Sequence, residues 1–182
     1  EFQLLVERME GITRQLKFFA RTEAEDFGEV DLCQAMAVAR DLLIPNVAVS
    51  AVTFHFNRPE QPILVRGNQL RLEQVMTNLL RNGFDAVEGG KNPVITATVG
   101  QTATMGWVEI SDNGHGLGAN TLADLQEPFV TTRESGRGMG LGLAISANII
   151  KEHQGTLQGA NLPEGGALFR VEIPLLDAEV AG

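Results

Sequence analysis

Apolar residues recur at helical spacing in three separate stretches of the chain. The most regular stretch is 71–87, whose apolar face holds Leu72, Val75, Met76, Leu79, Leu80 and Gly83. A Gly-Gly pair follows it and predicts where this helix ends. A second helix is predicted over 32–43, where Asp31 or a neighbour caps the start and Pro45 prevents continuation. A third helix is predicted over about 140–153.

The first 22 residues form a further amphipathic pattern. Their apolar positions lie four, three, four and three residues apart, at Leu5, Met9, Ile12, Leu16 and Phe19. That spacing is the seam of a heptad repeat, and an isolated helix of this kind is marginally stable in water. Two interpretations stay open. The helix pairs with a second chain or with the rest of a hairpin, or it docks on its own domain.

Between the helices, apolar and polar residues alternate as in half-buried strands. Two strands over 93–100 and 105–113 are joined by a polar turn, and β-rich segments occupy 47–56 and 63–67. A last pair of strands is predicted in GTLQGAN and GALFRVEIPL, after residue 153. Helices mixed with several antiparallel hairpins predict an α+β protein, a two-layer α/β sandwich, rather than an alternating parallel fold.

Composition narrows the class of protein. The 182 residues are 43% hydrophobic and 20% charged, which is typical of a folded globular domain. A net charge of −9 disfavours non-specific binding to nucleic acid, so no nucleic-acid partner is expected. The lone Cys33 cannot form an internal disulfide, which fits a reducing compartment.

Asn78, Asn82 and Asp85 share one stripe of the 71–87 helix, because they are spaced four and three residues apart. The stripe borders the apolar face. Carboxamide oxygens are hard ligands of the kind that Mg²⁺ accepts together with phosphate oxygens and water. The alternative interpretation is that these side chains only solvate a helix face.

The segment ISDNGHGLG, residues 110–118, carries a second candidate site. A predicted strand delivers Asp112 to its end, and Gly114 and Gly116 then allow a tight turn without side chains that would exclude a flat ligand. A carboxylate in that position can accept a hydrogen bond from an exocyclic amine. An ordinary turn after a strand remains the alternative.

The segment GRGMGLG, residues 136–142, precedes the third predicted helix. It matches neither the P-loop pattern nor the dinucleotide-binding pattern of glycines. Glycine amides that lead into a helix N-terminus still form a cradle for an anion. Arg133 and Arg137 lie close in sequence and add positive charge. Taken alone, the segment fits a flexible loop equally well.

The order of these motifs is more specific than any one of them. The series NLLRNGFDAV, DNGHGL, EPFVTTR and GRGMGLGLAI closely resembles the N, G1, F and G2 boxes of bacterial sensor histidine kinases. Their ATP-binding domain belongs to a superfamily shared with type II topoisomerases, Hsp90 chaperones and MutL repair proteins. The resemblance covers about residues 28–176. The short stretch between Phe129 and Gly138 resembles the short-lid subgroup of nitrogen-regulation and C4-dicarboxylate sensors.

The resemblance implies a Bergerat-type sandwich with a mixed sheet and about three helices, preceded by an N-terminal helix. The domain division expected from it has three parts. Residues 1–24 would be the end of a dimerisation and phosphoacceptor hairpin with its linker, 25–177 the catalytic ATP-binding domain, and 178–182 a tail.

The resemblance also assigns roles to residues. In the family, the second N-box asparagine, here Asn82, coordinates the Mg²⁺ that bridges the phosphates. Asp112 would accept a hydrogen bond from the adenine amine, with Gly116 close to the base. Phe129 would anchor a mobile lid, and Arg133 would contact the γ-phosphate. The full implied set for ATP or ADP is Asn78, Asn82, Asp85, Asp112, Gly114, Gly116, Phe129, Arg133, Gly138, Gly140 and Gly142.

One departure separates branches of the superfamily. The hydrolysing relatives carry a glutamate one turn before the Mg²⁺ asparagine, whereas this chain has Asn78 there. A carboxamide cannot act as a general base near neutral pH, so the site is expected to hold ATP without activating water. The γ-phosphoryl group would then go to an external nucleophile.

That nucleophile would be a histidine outside this chain. His55, His115 and His153 do not lie in a phosphoacceptor-like segment, and each is interpreted as a packing or surface residue. The implied partners are the hairpin of the full-length chain, which forms a homodimer, and a response regulator. The implied location is the cytoplasm, as part of an inner-membrane sensor.

Two rival functions remain at this point. A protein-serine kinase of the same superfamily would lack the heptad-bearing helix of residues 1–22 and would modify a partner serine. A non-catalytic nucleotide-binding module would bind ATP or a partner without transfer, although the intact asparagines and glycines argue against such degeneration.

Overall fold

The computed structural model describes Met9 and residues 27–44, 51–118 and 142–181. The strands are β1 (Gly28–Asp31), β2 (Thr53–Asn57), β3 (Leu64–Gly67), β4 (Val94–Gln101), β5 (Met105–Asp112), β6 (Thr156–Asn161) and β7 (Ala167–Pro174). The α-helices are α1 (Leu32–Leu43), α2 (Gln69–Val87) and α3 (Gly142–Glu152), and a 3₁₀ helix spans Leu176–Ala181. Apart from Met9, the helix predicted over 1–22 lies outside the described residues, as does the start of the 47–56 segment.

A mixed five-stranded sheet forms one layer, in the order β2-β4-β5-β7-β6. The β2–β4 pair is parallel, because α2 lies in the crossover between these strands, and the other three pairs are antiparallel. Strands β1 and β3 form a separate antiparallel pair. An isolated bridge between Val65 and Leu175 links this pair to the end of the main sheet. The predicted two-layer sandwich is therefore confirmed.

The core lies between the sheet and the helices. Along β5 and β7, buried and half-buried residues alternate strictly, so one face of each strand enters the core. The apolar stripe of α2 meets that face, and Leu72, Val75, Met76, Leu79 and Leu80 are all fully buried. Full burial of an aliphatic side chain contributes about 1.5–3 kcal/mol, so this stripe fixes the orientation of α2 and of its polar edge.

The helix starts follow from capping side chains. Asp31 accepts hydrogen bonds from the backbone N–H groups of Cys33 (2.9 Å) and Ile63 (3.2 Å), which confirms it as the cap of α1. Helix α2 begins two residues before the predicted 71–87 range, because Asn68 accepts from the N–H of Arg71 (3.0 Å). This earlier start adds Gln69 and the exposed Leu70, which lie off the buried apolar face and which the apolar period does not reveal.

His153 joins the end of α3 to the start of α2. Its Nε2 accepts from the backbone N–H of Asn68 (3.0 Å), so its Nδ1 carries the proton that is donated to the carbonyl of Ile149 (2.7 Å). The ring is 3% exposed and stacks on Phe27 with centroids 4.6 Å apart. Burial lowers the pKa of His153. These contacts agree with its interpretation as a packing residue, and they hold α2 against α3.

Candidate functional site

Asp112 is the last residue of β5 and is only 5% exposed. Its Oδ1 accepts a hydrogen bond from the backbone N–H of Gly114 (2.8 Å). Burial raises the pKa of this carboxyl, while hydrogen bonds from the backbone of Gly114 and Ala167 and the nearby charge of His115 act in the opposite direction. The sheet thus holds an acceptor of strong hydrogen bonds at the end of a buried strand.

The loop after Asp112 rests on the last turns of α2. A Cβ atom on Gly114 would overlap the backbone carbonyl of Ala86, so this position requires glycine. The N–H of His115 donates to the same carbonyl (3.3 Å). The half-buried Asp85 precedes Ala86 directly. Two motifs that lie about 30 residues apart in sequence, the N-box-like and the G1-like segments, are therefore in contact.

The other side of the loop is held by a residue that sequence reasoning missed. Asn161, at the end of β6, hydrogen-bonds through its side chain to the backbone of Leu117 and Gly118. Gly116 has a φ of +74°, a conformation that favours glycine. Nothing in GTLQGAN marks Asn161, because an asparagine at a strand end is an ordinary turn residue.

Asn78 links α2 to the start of α3. It is half-buried, and its Nδ2 lies 3.5 Å from the carbonyl oxygen of Gly142 and 3.4 Å from Oγ of the fully buried Ser146. A Cβ on Gly142 would lie 3.9 Å from Cγ of Asn78, which is an ordinary contact. Gly142 is therefore next to the N-box stripe, as the site hypothesis requires, although space alone does not demand a glycine there.

The donor set on α2 fits a magnesium ion held mainly through phosphates. Asn82 lies one turn after Asn78, and both are half-buried. Among the described residues, no three His, Cys, Asp or Glu side chains gather into a metal site. Mg²⁺ characteristically takes one or two protein oxygens and completes its shell with substrate phosphates and water, which a carboxamide stripe can satisfy.

Four residues of the predicted set lie outside the described residues: Phe129, Arg133, Gly138 and Gly140. The glycines at 136–140 also fall there. Of the remaining histidines, His55 is exposed on the edge strand β2. His115 is exposed in the loop, where its Nδ1 lies 2.7 Å from the carbonyl oxygen of Gly116.

Residues 67–177 match a family model described as histidine kinase-, DNA gyrase B-, and HSP90-like ATPase. The chain belongs to this family. The matched range includes α2, α3 and the strands β4 through β7, and with them every described residue of the candidate site. The family is one of ATP-binding domains, so nucleotide binding follows from membership.

Curated relatives are sensor kinases much longer than this chain. The two-component sensor PprA of Pseudomonas aeruginosa is 36% identical over 96% of the chain, which spans 19% of PprA. The C4-dicarboxylate transport sensor protein DctB of the same species is 32% identical over 93% of the chain, which spans 28% of DctB. These relatives confirm the resemblance to sensor histidine kinases.

Solved structures agree with the sequence comparison. The catalytic domain of histidine kinase ThkA superposes with a TM-score of 0.71 at 28% identity, over 81% of this chain and 97% of that one. ThkA in complex with the response regulator protein TrrA gives a TM-score of 0.76 at 24% identity, over 94% of this chain and 48% of that one, and shows the fold alone. The predicted fold of a histidine kinase ATP-binding domain is thereby confirmed.

None of the helices in the described ranges combines the length and the apolar character that crossing a membrane requires.

Proposed function

We propose that the chain is the catalytic domain of a two-component sensor histidine kinase that binds ATP or ADP with Mg²⁺. It transfers the γ-phosphoryl group of ATP to a histidine on a dimerisation hairpin outside the described residues. One observation carries the proposal. The buried Asp112 loop, the asparagine stripe of α2 and the first residue of α3 converge on one side of the sandwich.

The adenine end of the site is assigned to Asp112. A buried carboxylate that already accepts the N–H of Gly114 has a second oxygen with which to accept the exocyclic amine of adenine. Gly116, which has no side chain, is assigned to the approach of the flat base. Gly114 keeps the loop seated on α2. Together these residues would select a purine that carries an amino donor.

The phosphate end of the site is assigned to α2 and to the start of α3. Asn82 would coordinate Mg²⁺, with Asn78 and Asp85 in support, and the bound ion would neutralise charge on the β- and γ-phosphates. The first amides of α3, starting at Gly142, form a helix N-terminus that favours an anion. We extend this assignment to Phe129, Arg133, Gly138 and Gly140 on the basis of the motif order alone.

Asn78 decides what the site does with ATP. A water molecule near the γ-phosphate would find a carboxamide rather than a carboxylate, and a carboxamide takes no proton near neutral pH. The histidine nucleophile supplies its own lone pair, so its ring nitrogen bonds to the γ-phosphorus while the bond to the leaving oxygen breaks and ADP departs. The site therefore needs only to position ATP and to stabilise its charge.

The wider setting is proposed from the relatives. ThkA, which shares the fold, has been crystallised with a response regulator, and PprA and DctB are named sensors. We propose that residues 1–24 belong to the hairpin of a homodimer and that 25–177 form the catalytic domain. Its phosphoryl group would pass onward to a response-regulator aspartate. A C4-dicarboxylate or nitrogen-regulation type of sensor anchored in the inner membrane, with this domain in the cytoplasm, is the corresponding parent protein.

Calorimetric titration with ATP and ADP tests the nucleotide site, and steady-state release of phosphate tests the fate of ATP. We expect binding of both nucleotides that weakens when Mg²⁺ is chelated, together with negligible hydrolysis. Absence of binding would refute the proposed site. Sustained turnover of ATP by the isolated chain would refute the role given to Asn78.

A further inference from the structure

The side chain of Asn161 makes a two-point contact with the backbone of the Asp112 loop. Its Oδ1 accepts from the N–H of Leu117 (2.7 Å) and its Nδ2 donates to the carbonyl of Gly118 (3.0 Å). The partners lie 44 and 43 residues away in sequence. A planar carboxamide offers one acceptor and one donor side by side, so it can pair at once with the N–H of Leu117 and the carbonyl of the next residue, Gly118.

The loop is shaped to receive this side chain. A Cβ atom on Gly116 would lie 2.6 Å from Oδ1 of Asn161, and the φ of Gly116 is +74°. Both facts require glycine at this position, the first because Asn161 occupies the space and the second because other residues avoid that backbone conformation. The following Leu117 is buried. The contact is therefore part of the packed structure, although Asn161 itself is exposed.

The turn after Asn161 holds the other end of the same loop. Gly166, with a φ of +93°, packs so closely on Asp112 that a Cβ atom there would overlap the carbonyl oxygen of Asp112. The turn is closed by a hydrogen bond from the N–H of Leu162 to the carbonyl of Gly166 (2.9 Å). The β6–β7 hairpin thus fixes both Asp112, where the loop begins, and Gly118.

We propose that Asn161 is a positioning residue for nucleotide binding, an inference that rests on the function proposed above. It has no assigned contact with ATP. It keeps residues 116–118 in the conformation that binds the base, so the cost of ordering this backbone is met on folding and not on binding. Loss of the two hydrogen bonds of Asn161 would weaken the affinity for adenine nucleotides and reduce the preference for adenine that Asp112 provides.

Calorimetry on three variants of the whole chain tests the proposal. Asn161→Ala removes both hydrogen bonds. Asn161→Asp keeps the acceptor for Leu117 but places an oxygen against the carbonyl of Gly118. Asn57→Ala is the matched control, because Asn57 also ends an edge strand and makes an exposed side-chain hydrogen bond, at the opposite edge of the sheet. Each variant is titrated with ATP and with inosine triphosphate, which lacks the exocyclic amine.

We expect the Ala and Asp variants to bind ATP about tenfold more weakly than wild type, since two modest hydrogen bonds are lost or opposed. The preference for ATP over inosine triphosphate should fall at least threefold, and the amide of Leu117 should exchange faster with solvent. A general loss of protein stability would instead weaken the binding of both nucleotides equally. Asn57→Ala should match wild type.

ATP affinity within twofold of wild type in Asn161→Ala would overturn the proposal, as would an unchanged preference for ATP. If the Ala variant fails to fold, Asn161→Asp is judged by the same two thresholds. A wild-type chain that does not bind ATP would refute the proposed function instead, so the two failures are distinguishable.

Discussion

Replacement of Asp112 by asparagine changes one atom at the centre of the proposed adenine site. The variant keeps the size of the side chain and one oxygen for the N–H of Gly114, which in the wild type donates to Oδ1 at 2.8 Å. It replaces the second acceptor with an NH₂ group. The amine of adenine, which is also a donor, would then face a donor.

The magnitude follows from the type of hydrogen bond that is lost. A hydrogen bond to a charged group contributes about 1.5–3 kcal/mol, and the side chain is only 5% exposed, so water cannot readily replace the missing acceptor. We therefore expect the Kd for ATP to rise by about 10- to 150-fold. The variant should remain folded, because it keeps one oxygen that accepts a backbone hydrogen bond and no longer buries an ionisable carboxyl whose pKa is raised by burial.

Calorimetric titration of wild type and Asp112→Asn with ATP and Mg²⁺ measures the difference. Asp177→Asn is the control, since Asp177 is an exposed carboxylate in the C-terminal 3₁₀ helix. The control should bind like wild type. An unchanged Kd in a folded Asp112→Asn protein would refute the adenine assignment, and an equal loss in both variants would point to a general effect of charge.

Three further predictions follow from other parts of the structure. Asn78→Glu supplies the missing general base and should raise the rate of phosphate release from ATP at least tenfold, whereas the neutral Asn78→Gln should not. Equal rates of phosphate release in the two variants would contradict the role given to residue 78. Gly114→Ala forces a methyl group onto the carbonyl of Ala86 and should lower the free energy of unfolding, measured in urea, by about 1–3 kcal/mol. Gly28→Ala, where a Cβ atom meets open space, should change this free energy little. Equal effects of the two variants would contradict the close contact between Gly114 and Ala86. Burial lowers the pKa of His153, so the unfolded state binds the proton more readily than the folded state. The stability that His153 contributes should be complete above about pH 6.5 and should fall as the pH drops below that value. Urea titrations should find no such loss in His153→Gln.

Much of the fold could be predicted because local chemistry and tertiary packing agree. Asp31 caps α1 as predicted, and the apolar stripe of α2 is the stripe that packs on the sheet. The 3₁₀ helix of Leu176–Ala181 was not predicted, because it begins just after the end of the predicted strand GALFRVEIPL and runs into the residues expected to form a tail, 178–182. Neither apolar spacing nor turn chemistry marks such a short element.

The candidate site was predicted only in part. The residue types of Asp112, Gly114 and Gly116 predict a turn. In the structure, close contacts with backbone and side-chain atoms explain why glycine is needed at 114 and 116. The contact between Asn161 and the loop spans more than 40 residues, so no local pattern contains it. The role of Asn161 depends on two backbone groups in a distant loop, so it can be recognised only once the folded sheet has brought the side chain and that loop together.

Transfer of radiolabelled phosphate from ATP to the hairpin of the parent protein, supplied as a separate chain, tests the central claim most directly. The account predicts Mg²⁺-dependent labelling of the hairpin that is lost on acid treatment and is stable in base, as a phosphohistidine is. Acid-stable label would indicate a serine kinase. A hairpin that remains unlabelled while the domain binds ATP would indicate a binding module, and either result would contradict the account.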